Sequence, residues 1–229
     1  MLSSHSGLSR RHLLACGLTL AGVTTLLGND VNSEARAATR SDSSEAPKRS
    51  ANGWPIVDKL DEHKIEGSDL AVSVAGGPAA VILLHVARRF HYEVDHLKPE
   101  ASEEVVGYLP SGKFVQQYES NHSSGTAIAI RPNSYPTGVS GSFFPHELVV
   151  IRDILAECEG VVRWGGDERV PKESHFQIDV RPDDERLAAL AEKISKWNRT
   201  PGLGAGARDP FLEDRLIASR LLREKQRRN

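Results

Sequence analysis

Two hydrophobic periods alternate along this chain, and each change of period marks the edge of an element. Asp69–Val74 alternates at a period of two and predicts a strand. Gly76-Gly77-Pro78 ends that strand and opens a helix, with Pro78 in the first turn, where a missing N–H costs nothing. The helix runs through Ala79, Val81, Ile82, Leu83, Val86, Ala87 and Phe90, an apolar face that belongs in a core, and it ends near Tyr92 to Asp95. Short strands are expected at Val105–Leu109 and Phe114–Tyr118, around the turn Pro110-Ser111-Gly112. Pro145 begins a second helix with Leu148, Val149, Ile151, Ile154 and Leu155 inward, closing at Gly160. Val161–Trp164 and Phe176–Val180 read as strands, and Asp183 or Asp184 caps a third helix through Leu187, Leu190, Ala191, Ile194 and Trp197. The strands are short, and their connections often lack a helix. That favours an α+β fold, a small antiparallel sheet packed against helices, over a doubly wound sheet.

The ends of the chain read differently. Ser9-Arg10-Arg11-His12 precedes the apolar run Leu13–Leu27, which is short and rich in Gly and Thr for a membrane span. Ala35-Arg36-Ala37 offers small residues for a signal peptidase, so residues 1–37 resemble a twin-arginine (Tat) export signal. An uncleaved N-terminal anchor is the alternative. Cys16 lies inside the apolar run, which argues against lipidation. Residues 38–52 are polar and read as a disordered linker, followed by an α+β domain over 53–200. Pro201–Gly206 is a flexible connection to a charged, detached C-terminal helix within 201–229.

Composition narrows the function classes. At 229 residues and a formal charge of −2, no global field points to nucleic acid or to an anionic membrane. With the signal removed, no stable membrane span remains, and a secreted or cell-wall location is expected. Of the two cysteines only Cys158 would survive cleavage, so the exported domain has no internal disulfide, and Cys158 reads as a buried inert thiol. Arg220, Arg223, Lys225, Arg227 and Arg228 form the one cluster of a single sign, a solvated helix end. His85, His91 and His96 show no ligand spacing and read as surface or rim residues.

Two stretches carry the candidate chemistry. Ser120-Asn121-His122-Ser123-Ser124-Gly125-Thr126-Ala127-Ile128-Ala129 is the first. Trp164-Gly165-Gly166-Asp167, leading to Glu173-Ser174-His175-Phe176, is the second. Ser120, His122, Gly125 and Ala127, and then Trp164–Asp167 and His175, resemble in order and spacing the zinc D,D-carboxypeptidases and L-alanyl-D-glutamate endopeptidases of bacterial cell walls. The likeness covers residues 105–180 and implies the hedgehog/DD-peptidase fold. It also implies a zinc ion held by His122 and His175, and peptidoglycan or cell-wall peptides as partners.

A catalytic zinc takes three protein ligands and leaves one position for water, which a nearby carboxylate deprotonates. The family's third ligand is an aspartate where this chain has Ala129, and its base falls three residues before the last histidine, at Lys172. Glu173 is the nearest replacement for the base, and it requires a bulge or turn to face the site. Ser120 would support the first loop, with Trp164 and Asp167 lining the cleft. Asp167, His146, Glu147 and Asp153 are chemically able to replace the missing ligand. After Gly165-Gly166, Asp167 reads first as closing a turn by accepting backbone N–H groups. Three readings stay open at this level: a degenerate, weakly active or non-catalytic relative that binds or scaffolds in the cell envelope, an active zinc peptidase with a substitute ligand, and an exported domain similar in fold alone.

Overall fold

A computed structural model of the chain describes residues 49–99, 103–110, 112 and 114–228. The expected export signal and most of the expected linker lie outside these residues. The end of that linker does not. Arg49 bridges to Pro55, and Ala51 and Asn52 are hydrogen-bonded into the domain, which therefore begins before the expected boundary at 53.

The class is α+β, as the alternation of periods predicts. A two-stranded antiparallel sheet joins β1 (Glu62–Lys64) to β2 (Ala71–Ser73). A four-stranded antiparallel sheet holds β3 (Val105–Val106), β4 (Ala127–Ile130), β5 (Val162–Trp164) and β6 (His175–Ile178) in the order β3-β4-β6-β5. Its register explains the chemistry. Ile128 pairs with Phe176 and Val162 with Ile178, so one face is apolar. Ala127 pairs with Gln177 and Ala129 with His175, so the other face carries the polar groups.

Helices α1 (Pro78–Glu93) and α2 (Pro145–Glu157) pack their apolar stripes against the Ile/Phe face, and α3 (Glu185–Arg199) packs on α1, making one core with Ile82, Phe90, Ile151, Ile154, Leu190 and Ile194. The side chain of Asp184 caps α3 by accepting from Arg186 N at 3.0 Å. Cys158 closes α2 in the core, and burial pushes its thiol far up, in keeping with an inert role.

Three expectations are corrected. Phe114–Tyr118 forms no strand among the described residues. Gln117–Ser124 is a 3-10 helix, because the Glu119 carboxylate captures Val115 N (2.9 Å) and Gln116 N (2.8 Å) and turns the backbone there. The C-terminal helix α4 (Glu213–Arg228) is docked rather than detached. Arg215 reaches Asp153 Oδ1 at 2.7 Å and Glu157 Oε1 at 2.7 Å on α2, and Gln226 reaches Val162 O at 2.9 Å. His85 and His91 are buried, not rim residues: His85 Nε2 donates to Glu157 Oε2 (3.1 Å), and His91 Nδ1 accepts from Leu97 N (3.1 Å).

Two motif glycines have packing reasons. Gly125 has φ of +67°, and a Cβ there would lie 2.6 Å from Ala75 N. A Cβ on Gly165 would lie 2.4 Å from Lys172 O and 2.9 Å from His175 Cβ. Gly165→Ala is therefore expected to destabilise the domain by about 1–3 kcal/mol through overpacking, read as a lowered melting temperature.

Candidate functional site

The polar face of the four-stranded sheet brings the two sequence motifs together. His175 opens β6, and His122 sits late in the 3-10 helix that leads into β4. Their nitrogens, His175 Nδ1 and His122 Nε2, lie 3.2 Å apart. Both rings are buried, at 0 % and 1 % exposure. Tyr118 packs 5.0 Å from the His175 ring, and its hydroxyl donates to Val170 O. An ion pair between Lys172 and Glu119, at 2.5 Å, lies beside them. Burial works to raise the Glu119 carboxyl, but Lys172 and the two backbone N–H groups outweigh it and hold it below the usual carboxylate range.

The outer nitrogens of both imidazoles are fixed. His122 Nδ1 lies 2.6 Å from the Gly107 carbonyl, which only accepts, so Nδ1 carries the proton. For His175 the assignment comes through a relay. Asn52 N donates to Asn121 Oδ1 at 3.0 Å, which turns the Asn121 amide nitrogen toward Gln177 Oε1 at 2.8 Å. Gln177 Oε1 is then an acceptor, and His175 Nε2, 3.0 Å away, donates to it. Two lone pairs consequently face each other across the 3.2 Å gap. Burial opposes placing a proton there: it pushes His122 down to about 4, and burial with the neighbouring His122 pushes His175 well below its ordinary value.

Facing lone pairs with anchored outer nitrogens are what a divalent cation requires of two imidazoles. Two zinc–nitrogen bonds of ordinary length at a tetrahedral angle set the nitrogens roughly 3.3 Å apart. The third donor is missing. Ala129 lies directly across from His175 on the same face, and its methyl offers no atom to an ion. Among the described residues no group of three or more His, Cys, Asp or Glu side chains is placed to hold a metal. The residues present supply two ligands and do not fit a complete catalytic zinc site. No family model, curated protein or solved structure matches this chain.

The other candidates are placed elsewhere. Glu173, expected as the base, is buried, and its two oxygens accept from Gly141 N (2.8 Å) and Ser142 N (2.9 Å). It anchors the loop before α2 instead of facing the histidines. Glu173→Ala should cost about 1–2 kcal/mol of stability by removing a charged acceptor from the part-buried N–H groups of Gly141 and Ser142, seen in denaturant unfolding. Asp167 does not cap a turn: it forms a bidentate ion pair with Arg152, whose guanidinium lies 4.7 Å from the Trp164 ring centroid. Trp164 is buried and donates to Glu173 O at 2.7 Å, so it supports the loop before β6. Ser120 Oγ accepts from Ala51 N at 2.9 Å.

None of the proposed substitute ligands joins the pair. Asp153 belongs to the ion cluster with Arg89 and Arg215, Glu147 accepts from Phe144 N at 2.7 Å, and His146 stacks on Phe144. Asn52, Asn121 and Gln177 were missed by sequence reasoning. Gln177 had a legible signal, since residues two apart on a strand share a face.

Proposed function

We propose that this protein is an exported cell-envelope protein, built like the zinc D,D-carboxypeptidases and L-alanyl-D-glutamate endopeptidases, that binds cell-wall peptides without hydrolysing them. The observation that carries this reading is the position of Ala129. A methyl occupies the cross-strand place beside His175 where a carboxylate ligand would complete the ion's shell. Glu173, held on two backbone N–H groups, is not free to take a proton from water. The sheet register and the motif spacing support the likeness. The remaining site is a pair of oriented imidazoles under a polar loop.

One observation favours a second reading, an active zinc peptidase with a third ligand from substrate or another chain: the facing lone pairs at 3.2 Å. Zinc content, peptidoglycan-fragment binding and fragment hydrolysis, measured on the full chain and on His175→Ala, separate the two. Fragment binding without turnover, and with less than one zinc per chain, is the expected result. One tight zinc that His175→Ala releases, together with turnover, would establish the second reading. A chain that binds neither fragments nor zinc would remove both.

A further inference from the structure

We propose that a trough along Ser120 and Asn121 is a peptide-binding site, and that residues 49–53 fill it in cis. The segment is held chiefly by hydrogen bonds. Ala51 N donates to Ser120 Oγ at 2.9 Å, and Asn52 N donates to Asn121 Oδ1 at 3.0 Å. Its one specific side chain is the Asn52 carboxamide, which donates to Thr126 Oγ1 at 2.8 Å and to the Ile178 carbonyl at 2.9 Å. Two successive main-chain N–H groups met by fixed side-chain oxygens are features that any peptide presents.

The segment also fills only the middle of the available space. A cavity of about 320 Å³ lies on one side, lined by Asn52, Gly53, Asn121, Gln177, Asp179 and Arg181. A second of about 320 Å³ lies on the other, lined by Ser50, Phe114, Val115, Gln116 and Ser120. Ala51 lines both and is itself exposed. The occupant is a closed turn, with Gly53 N donating to Ser50 O at 2.8 Å and Ser50 N to Trp54 O at 2.9 Å, and open space flanks it on both sides. Trp54 fixes the base of the turn, its indole donating to Val180 O at 2.9 Å and its ring packing on the core, so residues 49–53 lift by parting Arg49 from Pro55 and Ser50 N from Trp54 O while Trp54 stays.

The occupant that fits is a peptide with an asparagine-like carboxamide after a small residue. Through Asn121 and Gln177 the same contacts set the orientation of His175, so exchange of the occupant is felt at the histidine pair. The inference rests on this geometry and holds whether or not the outside peptide comes from a cell wall.

A synthetic peptide of residues 47–56, labelled at its N-terminus, serves as the probe for the full chain. A cis segment competes at an effective concentration on the order of millimolar, so the probe should bind wild type weakly. It should bind Asn52→Ala at least tenfold tighter, because the cis copy no longer competes. The same peptide carrying Asn52→Ala should bind at least tenfold more weakly than the unmodified probe. Equal binding to both chains, or no binding to either, overturns the proposal. Should Asn52→Ala fail to fold, hydrogen exchange on wild type decides: amides of Ala51 and Asn52 exchanging well before those of β4 support a segment that lifts. Their exchange only together with β4 overturns it. Neither measurement involves zinc or hydrolysis, so its failure leaves the envelope reading intact.

Discussion

Asp153→Ala should be the most damaging single substitution outside the apolar core, lowering stability by about 3–5 kcal/mol. Asp153 is 2 % exposed and bonds two guanidinium groups, Arg89 Nη1 at 2.7 Å and Arg215 Nε at 2.7 Å. Glu157 accepts from the same two arginines and from His85. Removing Asp153 leaves charge buried against one remaining inter-helical carboxylate, Glu157, and takes away one of the two carboxylates that tie Arg215 of α4 to α2. For a domain of this size the loss corresponds to a melting temperature lower by roughly 10 °C. Arg215→Met is the informative companion, because Asp153 and Glu157 keep Arg89 as a cationic partner, and it should cost less. An Asp153→Ala protein that melts with wild type would show that the cluster contributes nothing net.

The cluster also sets an acid limit. Burial alone would raise Glu157, but its bonds to His85, Arg89 and Arg215 prevail and hold it down at about 2. A carboxylate depressed in the folded state contributes stability that is complete above its unfolded value near 4.5 and is lost as pH falls toward 2. His122 acts in the same direction over a higher window. Its folded value of about 4 lies below 6.5, so the unfolded chain takes up the proton first and stability falls between those limits. Urea unfolding from pH 7 to pH 3 should show a gradual decline beginning near pH 6.5 and steepening below 4.5.

Much of the fold was legible because its helices are strongly amphipathic and its buried strands are short apolar runs. The stretches at 78–93, 145–157 and 185–199 are helices where the periodicity places them. The two motifs, over fifty residues apart in sequence, set His122 against His175. What escaped has a common cause: polar groups whose partners lie far along the chain. The C-terminal helix reads as charged and detached, yet its Arg215 is buried, because the carboxylates that satisfy it sit about sixty residues earlier. Glu173 stands next to the expected base position at Lys172, whereas its partners are the backbone N–H groups of Gly141 and Ser142. The 3-10 helix at 117–124 was hidden by the alternation Phe114–Tyr118, because a local carboxylate captured the N–H groups a strand would have used. Gln177 carried no charge to draw attention, although it fixes the tautomer of His175.

Ala129→Asp should turn the histidine pair into a zinc site. Directly paired residues on one face of an antiparallel ladder have Cβ atoms about 4.5–5.5 Å apart, so a carboxylate at position 129 emerges beside His175. The lone pairs of His122 Nε2 and His175 Nδ1 already face each other, with Gly107 and Gln177 holding the outer nitrogens. Without metal, an added carboxylate in this buried face lacks a partner, and stability should drop by about 2–4 kcal/mol. Zinc at a hundred times its dissociation constant returns about 2.7 kcal/mol, so the melting temperature of the variant should become metal-dependent while that of wild type changes little. His175→Ala in the variant background should abolish the response. Hydrolysis should remain absent even with zinc in place, because Glu173 stays bound to Gly141 and Ser142 and Lys172 to Glu119. If Ala129→Asp shows no zinc-dependent stabilisation, the facing of the two imidazoles is structural only, and the likeness to the zinc peptidases ends at the spacing of the motifs.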